Sequence, residues 1–323
     1  MSRVKIAIAE GALADPSWAT VVADKLDIDL KFGPVDSVED LKATATDCSA
    51  LLVALHKLNE EKISEMPASI KCIGRLGVGL DSIDLVAAKK YKLPVIFQPT
   101  YAFNEVANHA AAMVLALHRG LLQATITTQA GKWIPATQIA EITSLQDSTI
   151  GVIGCGRIGQ SFIGKMKPFV NEILGFDPAV TGEIPGVRMV NSLDELLTAS
   201  KIVSMHAPYS PATHHMIGRR ELALMPKGSI LVNVSRGGLI DEDALIDSLE
   251  SGHLDGAGLD VFEKEPLVED ALIRKTKNLI LSPHIAWYSK SSGPRLVEWG
   301  LTDAFSFIKD QVIINGKFAT GPF

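Results

Sequence analysis

The feature that most constrains this 323-residue chain is a glycine pattern near its middle, between an apolar run and a helical segment. Gly154, Gly156 and Gly159 follow the apolar run Thr149–Ile153 and open a stretch of helical periodicity, Ile158–Lys167. The first glycine permits a tight turn, the second lets a ligand approach the backbone, and the third lets helix and strand pack closely. The pattern therefore predicts a strand, a phosphate-binding turn and a helix within a parallel sheet.

A second predicted strand, Glu172–Phe176, ends at Asp177, which lies 23 residues after Gly154. An acidic residue at about this distance accepts hydrogen bonds from the ribose hydroxyls of a dinucleotide. A carboxylate there repels a 2′-phosphate, and Pro178–Val180 offers no basic residue to neutralise one. The sequence therefore predicts NAD rather than NADP as the cofactor.

Alternating apolar and helical stretches predict an α/β chain with two parallel-sheet units. In the first block the predicted elements are Val4–Ala9, Pro16–Lys25, Ile28–Phe32, Val38–Thr46, Ala50–Ala54, Ile70–Leu76 and Val95–Phe97. A long Ala-rich helix, Phe103–His118, precedes a polar link, Gln129–Thr149. After the glycine turn and its two strands come Leu193–Ala199, Ile202–Met205, Ile230–Asn233, Glu242–Ser251, Gly256–Asp260, Leu279–Leu281 and a last helix, Ser291–Lys309.

Composition excludes several classes of partner. The net charge is −6, and no basic face is visible, so we expect neither nucleic acid nor an anionic membrane as a partner. No window approaches 18 uninterrupted apolar residues, and the N-terminal apolar run is cut short by Glu10, so neither a transmembrane helix nor a signal peptide is expected. The scattered residues Cys48, Cys72 and Cys155 fit buried, reduced thiols, and we expect a cytoplasmic protein.

Three candidate catalytic residues follow predicted strands. Arg236, Glu265 and His284 come after the strands that end near 233, 260 and 281. Ligands of open α/β sheets bind outside the carboxyl ends of the strands, so these side chains could converge beside a nicotinamide. An arginine holds a carboxylate with a fixed fork of donors, and a histidine exchanges a proton near neutral pH. A carboxylate beside the histidine favours its charged form. Each residue alone is more often a solvated charge or a structural hydrogen-bonding group.

Several motifs in one order resemble the D-isomer-specific 2-hydroxyacid dehydrogenase family. After the glycine turn and Asp177, the motifs are 203–208 (VSMHAP), 234–238 (VSRGG), 260–266 (DVFEKEP) and 282–286 (SPHIA). Further matches are 75–84 (RLGVGLDSID) and 105–109 (EVANH). The resemblance covers nearly the whole chain.

The resemblance implies two Rossmann-like or flavodoxin-like doubly wound parallel-sheet domains with a hinge cleft between them. Residues 1–101 and 288–323 would form a discontinuous substrate domain, and residues 102–287 the NAD-binding domain. The implied catalytic residues are Arg236, Glu265 and His284. The implied substrate-binding residues are Arg75, Val78, Gly79, Tyr101 and Trp287. The implied NAD-binding residues are Val106, Gly154, Gly156, Arg157, Ile158, Gly159, Asp177, His206, Ala207, Pro208, Val234, Ser235, Asp260 and Ala286. No metal site is expected.

Trp287 departs from the small residue, often glycine, that most family members have after the His-x-Ala motif. Together with Arg75, it resembles the C-terminal-binding-protein branch of the family, in which a tryptophan lines the substrate pocket. Trp287 could contact a substrate side chain, narrow the pocket or pack in the hinge.

The predicted function is NAD-dependent interconversion of a 2-oxo acid and a D-2-hydroxy acid by hydride transfer. One alternative is an NAD-sensing protein-interaction module like the C-terminal-binding proteins. Another is a different dehydrogenase on the same scaffold, such as a formate dehydrogenase, although that branch usually has Gln where Glu265 stands. The family resemblance implies a homodimer. The helix Phe103–His118 could pack against its copy, but it could equally pack within one chain.

Overall fold

The computed structural model describes residues 3–139 and 142–323. The chain divides into two compact units, Met1–Ala102 with Tyr288–Phe323 and Phe103–Trp287. The first unit is therefore discontinuous, and the second is inserted into it. Each unit is built on a largely parallel sheet with helices, which confirms the predicted α/β fold class. The hinge cleft stays a prediction.

The first unit contains one six-stranded sheet. Its strands are β1 (Val4–Ala9), β2 (Ile28–Gly33), β3 (Ala50–Val53), β4 (Cys72–Arg75), β5 (Val95–Phe97) and β13 (Lys317–Thr320). The order is β13-β5-β4-β3-β1-β2, and only β13 runs antiparallel to its neighbour. Its helices are α1 (Ser17–Leu26), α2 (Val38–Ala45), α3 (Glu60–Ser64), α4 (Leu85–Lys90) and α11 (Ser292–Asp310).

Burial on both faces explains why β3, inside this sheet, is aliphatic throughout. All four residues of β3 are buried, as parallel strands covered by helices require. α2 begins at a capping box in which the side chains and backbone N–H groups of Ser37 and Asp40 pair reciprocally. Asp303 of α11 is fully buried and accepts hydrogen bonds from Gln98 Nε2 and from the N–H groups of 314, 315 and 316. This carboxylate fixes the segment that leads into β13.

The second unit contains one seven-stranded parallel sheet. Its strands are β6 (Thr149–Ile153), β7 (Glu172–Phe176), β8 (Arg188–Met189), β9 (Ile202–Met205), β10 (Ser229–Asn233), β11 (Leu254–Leu259) and β12 (Leu279–Leu281). Its helices are α5 (Phe103–His118), α6 (Leu121–Gln129), α7 (Arg157–Met166), α8 (Leu193–Ala199), α9 (Arg219–Leu224) and α10 (Glu242–Glu250). The order β12-β11-β10-β9-β6-β7-β8 reverses direction at β6. Ligands of such sheets bind at this reversal.

Strand register brings the candidate site together. Ile153 pairs with Met205, Met205 with Asn233, Asn233 with Leu259, and Leu259 with Leu281. Five strands therefore end at one level. The residues that follow them, including most of the predicted cofactor and catalytic residues, emerge along a single edge of the sheet.

The predicted elements are present, with ends that differ by one or two residues, and several elements were not predicted. The unpredicted elements are α3, α4, α6, α9, β8 and β13. They are short or mixed in polarity, so no periodic pattern marks them. Among the described residues no single helix is long and apolar enough to cross a membrane. The bent pair α5 and α6, at 64°, meets the length and composition criteria only jointly.

Candidate active site

The glycine turn lies between β6 and α7. Gly154 has a φ of 90°, and a Cβ there would press on the backbone of His206 and Ala207. A Cβ on Gly156 would meet nothing within 4 Å, so open space adjoins the start of α7. That helix begins without a side-chain cap, and the N–H groups of its first turn, which includes Arg157 and Ile158, have no intrahelical acceptors. The turn fits the pyrophosphate of a dinucleotide.

Asp177 ties β7 to the same turn. Its Oδ2 accepts a hydrogen bond from the Cys155 N–H at 2.8 Å, and its Oδ1 accepts one from the Ala179 N–H at 2.9 Å. An ionised carboxylate has about four acceptor positions, so both oxygens keep capacity for ribose hydroxyls. The position at the end of β7 fits the adenosine ribose of NAD.

The loop that follows β9, His206–Pro208, borders the glycine turn. The His206 N–H donates to the Ile153 carbonyl at 2.6 Å, and its ring packs on Phe162 with centroids 5.0 Å apart. Its Nε2 lies 2.9 Å from Ser204 Oγ. Burial lowers the pKa of His206 to about 3, so the imidazole is neutral at physiological pH. This loop therefore presents no positive charge beside the turn.

Arg236 follows β10 in a segment that lies against the loop after β11. Its carbonyl accepts a hydrogen bond from Asn233 Nδ2 at 2.8 Å. A Cβ on Gly237 would overlap the backbone of Phe262 and of the residue after it. The missing side chain at 237 therefore lets the segment approach the loop that carries Glu265.

Glu265 and His284 form a hydrogen-bonded pair. Glu265 Oε2 lies 2.7 Å from His284 Nδ1, and Glu265 Oε1 accepts a hydrogen bond from the Phe262 N–H at 3.0 Å. Burial acts to raise the pKa of Glu265. The hydrogen bond and charge of His284, the Phe262 N–H and the charge of Arg236 outweigh it, so the pKa lies below its usual value. The resulting carboxylate holds a proton on Nδ1 and leaves His284 Nε2 to exchange a proton with a ligand.

Asp260 supports the loop that carries His284. The carboxylate is 1% exposed. Its Oδ1 accepts from the Ser282 hydroxyl and the Ile285 N–H, and its Oδ2 accepts from the Ala286 N–H. The sequence predicts a role in cofactor binding for Asp260, whereas its oxygens also hold the 282–286 loop.

The other predicted residues of this unit lie around the same edge. Val234 and Ala286 are buried in the core on the α5 side of the sheet, and Val106 packs against that core. The Ser235 hydroxyl donates to the Met205 carbonyl at 2.9 Å. Trp287 Nε1 donates to the His284 carbonyl at 2.9 Å, so its indole is attached to the loop that carries His284. The predicted pocket role of Trp287 stays a prediction.

The remaining predicted substrate residues belong to the first unit. Arg75 ends β4 with 5% exposure, and its Nη1 donates to the Leu76 carbonyl. Val78 and Gly79 follow at the carboxyl edge of that sheet, and Val78 is exposed. The buried Tyr101 accepts from Arg295 Nη1 through its carbonyl. The predicted substrate residues thus divide between the two units.

Two residues of the motifs 105–109 and 282–286 make a contact that the sequence does not predict. His109 of α5 and Ser282 are 173 positions apart, and they lie within hydrogen-bond distance. No spacing rule links such distant positions. Within residues 3–139 and 142–323, no group of three or more His, Cys, Asp or Glu side chains could hold a metal ion.

A family model described as the D-isomer specific 2-hydroxyacid dehydrogenase NAD binding domain matches residues 111–286. The chain belongs to the D-isomer-specific 2-hydroxyacid dehydrogenase family. The resemblance inferred from the motifs is therefore confirmed. The matched residues lie inside the second unit, which contains the glycine turn and the Glu265–His284 pair.

Individual relatives agree with this family. The chain is 37% identical to a D-3-phosphoglycerate dehydrogenase of Methanocaldococcus jannaschii over 76% of its length and 47% of the relative. It thus spans about half the length of the curated phosphoglycerate dehydrogenases it matches. It is 32% identical to a glyoxylate reductase of Korarchaeum cryptofilum over 83% and 82% of the two chains. A structure of D-lactate dehydrogenase from Aquifex aeolicus, complexed with NAD and lactic acid, superposes with a TM-score of 0.88 at 31% identity, covering 99% and 100%.

Proposed function

We propose that the protein is an NAD-dependent oxidoreductase that interconverts a 2-oxo acid and a D-2-hydroxy acid. The main support is the hydrogen-bonded pair of His284 and Glu265, which has the positive charge of Arg236 nearby. The pair lies at the same edge of the sheet as the glycine turn. The similarity to relatives that act on glyoxylate, or that were solved with NAD and lactic acid, supports this substrate class.

Each of the three side chains has a distinct task in the proposed reduction. Arg236 binds the substrate carboxylate and polarises its 2-oxo group. His284 gives the proton on Nε2 to the oxygen as the carbonyl becomes a hydroxyl. Glu265 accepts the hydrogen bond of Nδ1 and so orients the imidazole before this transfer. Bound NADH supplies the hydride that C2 of the substrate receives.

We also propose separate roles for the two units. The second unit binds NAD through the glycine turn, Asp177 and the His206–Pro208 loop. The first unit contributes carboxylate-binding groups from Arg75, Val78 and Gly79. Support comes from the family model, which describes an NAD binding domain and matches only residues in the second unit.

The reaction is tested by following NADH oxidation with small, branched, aromatic and dicarboxylic 2-oxo acids. Arg236→Ala and His284→Ala should each lower kcat/KM by about 10³-fold, because each removes a group needed in the transition state. His214→Ala, at an exposed histidine of the same unit, is the control and should retain full activity. Turnover unaffected by both active-site changes would overturn the assignment. Absent turnover with retained NADH binding would favour the interaction-module alternative.

The cofactor preference is a separate proposal, and it rests on Asp177. We expect kcat/KM for NADH to exceed that for NADPH by about 10-fold or more, because the carboxylate repels a 2′-phosphate. Asp177→Ala should reduce this difference in kcat/KM, because NADH binding becomes weaker and the 2′-phosphate of NADPH is no longer repelled. Equal values for the two cofactors in the unmodified protein would contradict this proposal.

A homodimer is proposed from the family resemblance alone. The buried alanines of α5, Ala107, Ala110 and Ala111, pack within their own unit, so that face is not free to meet a second copy. Light scattering that shows only a 34.6 kDa species would reject the dimer. A cytoplasmic location likewise remains a proposal. It is supported by three free, buried cysteines and is testable by fractionation of cells.

A further inference from the structure

The loop Ser282–Ala286 presents His284 in an unusual backbone conformation. His284 has a φ of 54°, in the left-handed region that non-glycine residues adopt rarely. Such a residue persists only where its surroundings restrain it. Its N–H donates to the carbonyls of Asp260 and Ser282, at 2.8 and 3.0 Å, and its carbonyl accepts from Trp287 Nε1. The backbone of the proton donor is thus held on both sides.

The Asp260 carboxylate holds the remaining polar groups of the loop. Ser282 Oγ lies 2.6 Å from Asp260 Oδ1, and the Ile285 and Ala286 N–H groups donate to the two oxygens at 2.9 and 2.8 Å. The position of the loop therefore depends on the position of the Asp260 carboxylate. Asp260 is 1% exposed, so water cannot replace a lost donor easily.

The direction of these hydrogen bonds indicates that His109 of α5 donates to Ser282. An ionised carboxylate only accepts, so Ser282 must donate its single proton to Asp260. The Ser282 oxygen is then an acceptor for His109 Nε2, which lies 2.8 Å away. The same nitrogen is 3.7 Å from Asp260 Oδ1. The network thus assigns the proton of His109 to Nε2 and runs from α5 through Ser282 to Asp260.

We infer that His109 is a positioning residue for His284 and acts through Ser282 and Asp260. The inference rests on the proposed dehydrogenase function. Helix α5 packs against α7, β10 and β11, so it is a rigid support for the loop. His109 fixes the Ser282 hydroxyl, the hydroxyl fixes the Asp260 carboxylate, and the carboxylate fixes the amides that flank His284. His109 itself moves no proton to the substrate.

Amide hydrogen exchange tests the positioning without any turnover. In His109→Leu and in Ser282→Ala, peptides that contain Ile285 and Ala286 should exchange at least about 10-fold faster than in the unmodified protein, because their acceptor is no longer anchored. His109→Gln places an amide donor near the position of Nε2 and should restore slow exchange. Unchanged exchange in both disruptive variants would overturn the inference.

Kinetics separate positioning from a purely structural role. His109→Leu and Ser282→Ala should each lower kcat by about 10-fold while KM for the 2-oxo acid changes little, since Arg236 is untouched. The double variant should lose no more than either single variant, because both break one chain of contacts. His109→Gln and Ser282→Thr should recover most of kcat.

The matched control is His118→Leu, which makes the same exchange at a buried position on the same helix. It should leave both kcat and the exchange of 285 and 286 unchanged. Losses that multiply in the double variant, or an equal loss in His118→Leu, would overturn the inference. An unmodified protein that turns over no 2-oxo acid would refute the proposed function instead, and the exchange experiment would still decide the loop support.

Discussion

Replacing Gly237 with Ala should separate Arg236 from the Glu265–His284 pair. A Cβ at this position would fall inside 3.0 Å of the carbonyl group of Phe262 and the following backbone nitrogen. Backbone atoms cannot rotate away as a side chain can, so the two loops would have to separate by about 1.5 Å. Misplacement of a catalytic group by about 1 Å costs about 10²-fold in rate, so we expect kcat to fall by at least that factor.

Two further glycines make this a graded series. A Cβ on Gly238 would meet the ring of Tyr209, which can turn aside, so Gly238→Ala should cost less than about 10-fold. Gly164 lies within α7 with nothing within 4 Å of a Cβ, so Gly164→Ala should retain full kcat and raise stability by up to about 1 kcal/mol. The assay is NADH oxidation with the best 2-oxo acid, together with thermal unfolding. A Gly237→Ala protein with normal kcat would refute the argument that close backbone approach places Arg236.

Three other predictions concern stability and reactivity. In the folded protein the pKa of Glu265 lies below its usual value of 4.5, so the charged carboxylate stabilises the fold and this stabilisation is lost as pH falls below about 4.5. In Glu265→Gln the free energy of unfolding should therefore decrease less over the same pH range. Urea titrations across pH measure this, and parallel profiles would contradict it. Asp303→Ala should lower the free energy of unfolding by about 3–5 kcal/mol, because four donors lose a buried acceptor. Asp310→Ala, at the exposed end of α11, should lower it by less than about 0.5 kcal/mol. Equal urea midpoints would count against that reasoning. Finally, burial raises the pKa of Cys72 to about 12 and of Cys155 to about 11, and it also raises that of Cys48. A disulfide reagent should therefore modify no thiol in the native protein and all three in denaturant. Rapid modification of the native protein would be the contrary result.

The elements that could be predicted are those with an unbroken periodic pattern. α5, β6 and β7 have the predicted ends, because each is a mostly apolar stretch bounded by turn signals. The strand predicted at Ile70–Leu76 is shorter in the structure, since the Ile70 N–H is used in a turn with Pro67. β13 carries no apolar alternation, and its pairing with β5 depends on a helix and loop that return to the sheet. Such non-local causes leave no local signal.

The candidate site was predictable to the extent that register follows from strand order. The sequence predicts the glycine turn after β6 and the residues after β10, β11 and β12 at the carboxyl ends of parallel strands, and the family resemblance adds the loop after β9. The strand register brings all five to one edge. The sequence could not show which polar groups support one another. Three contacts join segments that are separated in the chain. Asp177 accepts a hydrogen bond from the glycine turn, Gly237 lies against the backbone of Phe262, and His109 contacts Ser282. These contacts become visible only in the folded structure.

The return of α11 to the first sheet has a consequence for synthesis on the ribosome. Gly300 lets α11 lie close to Leu76, and the buried side of the helix covers β3, β4 and β5. At about 5–20 residues per second, these strands emerge roughly 10–40 seconds before the helix that covers them. The inserted unit, whose segments are contiguous, can complete its core first. The first sheet is thus made before the second unit but completed after it, and while uncovered it is where chaperones would be needed.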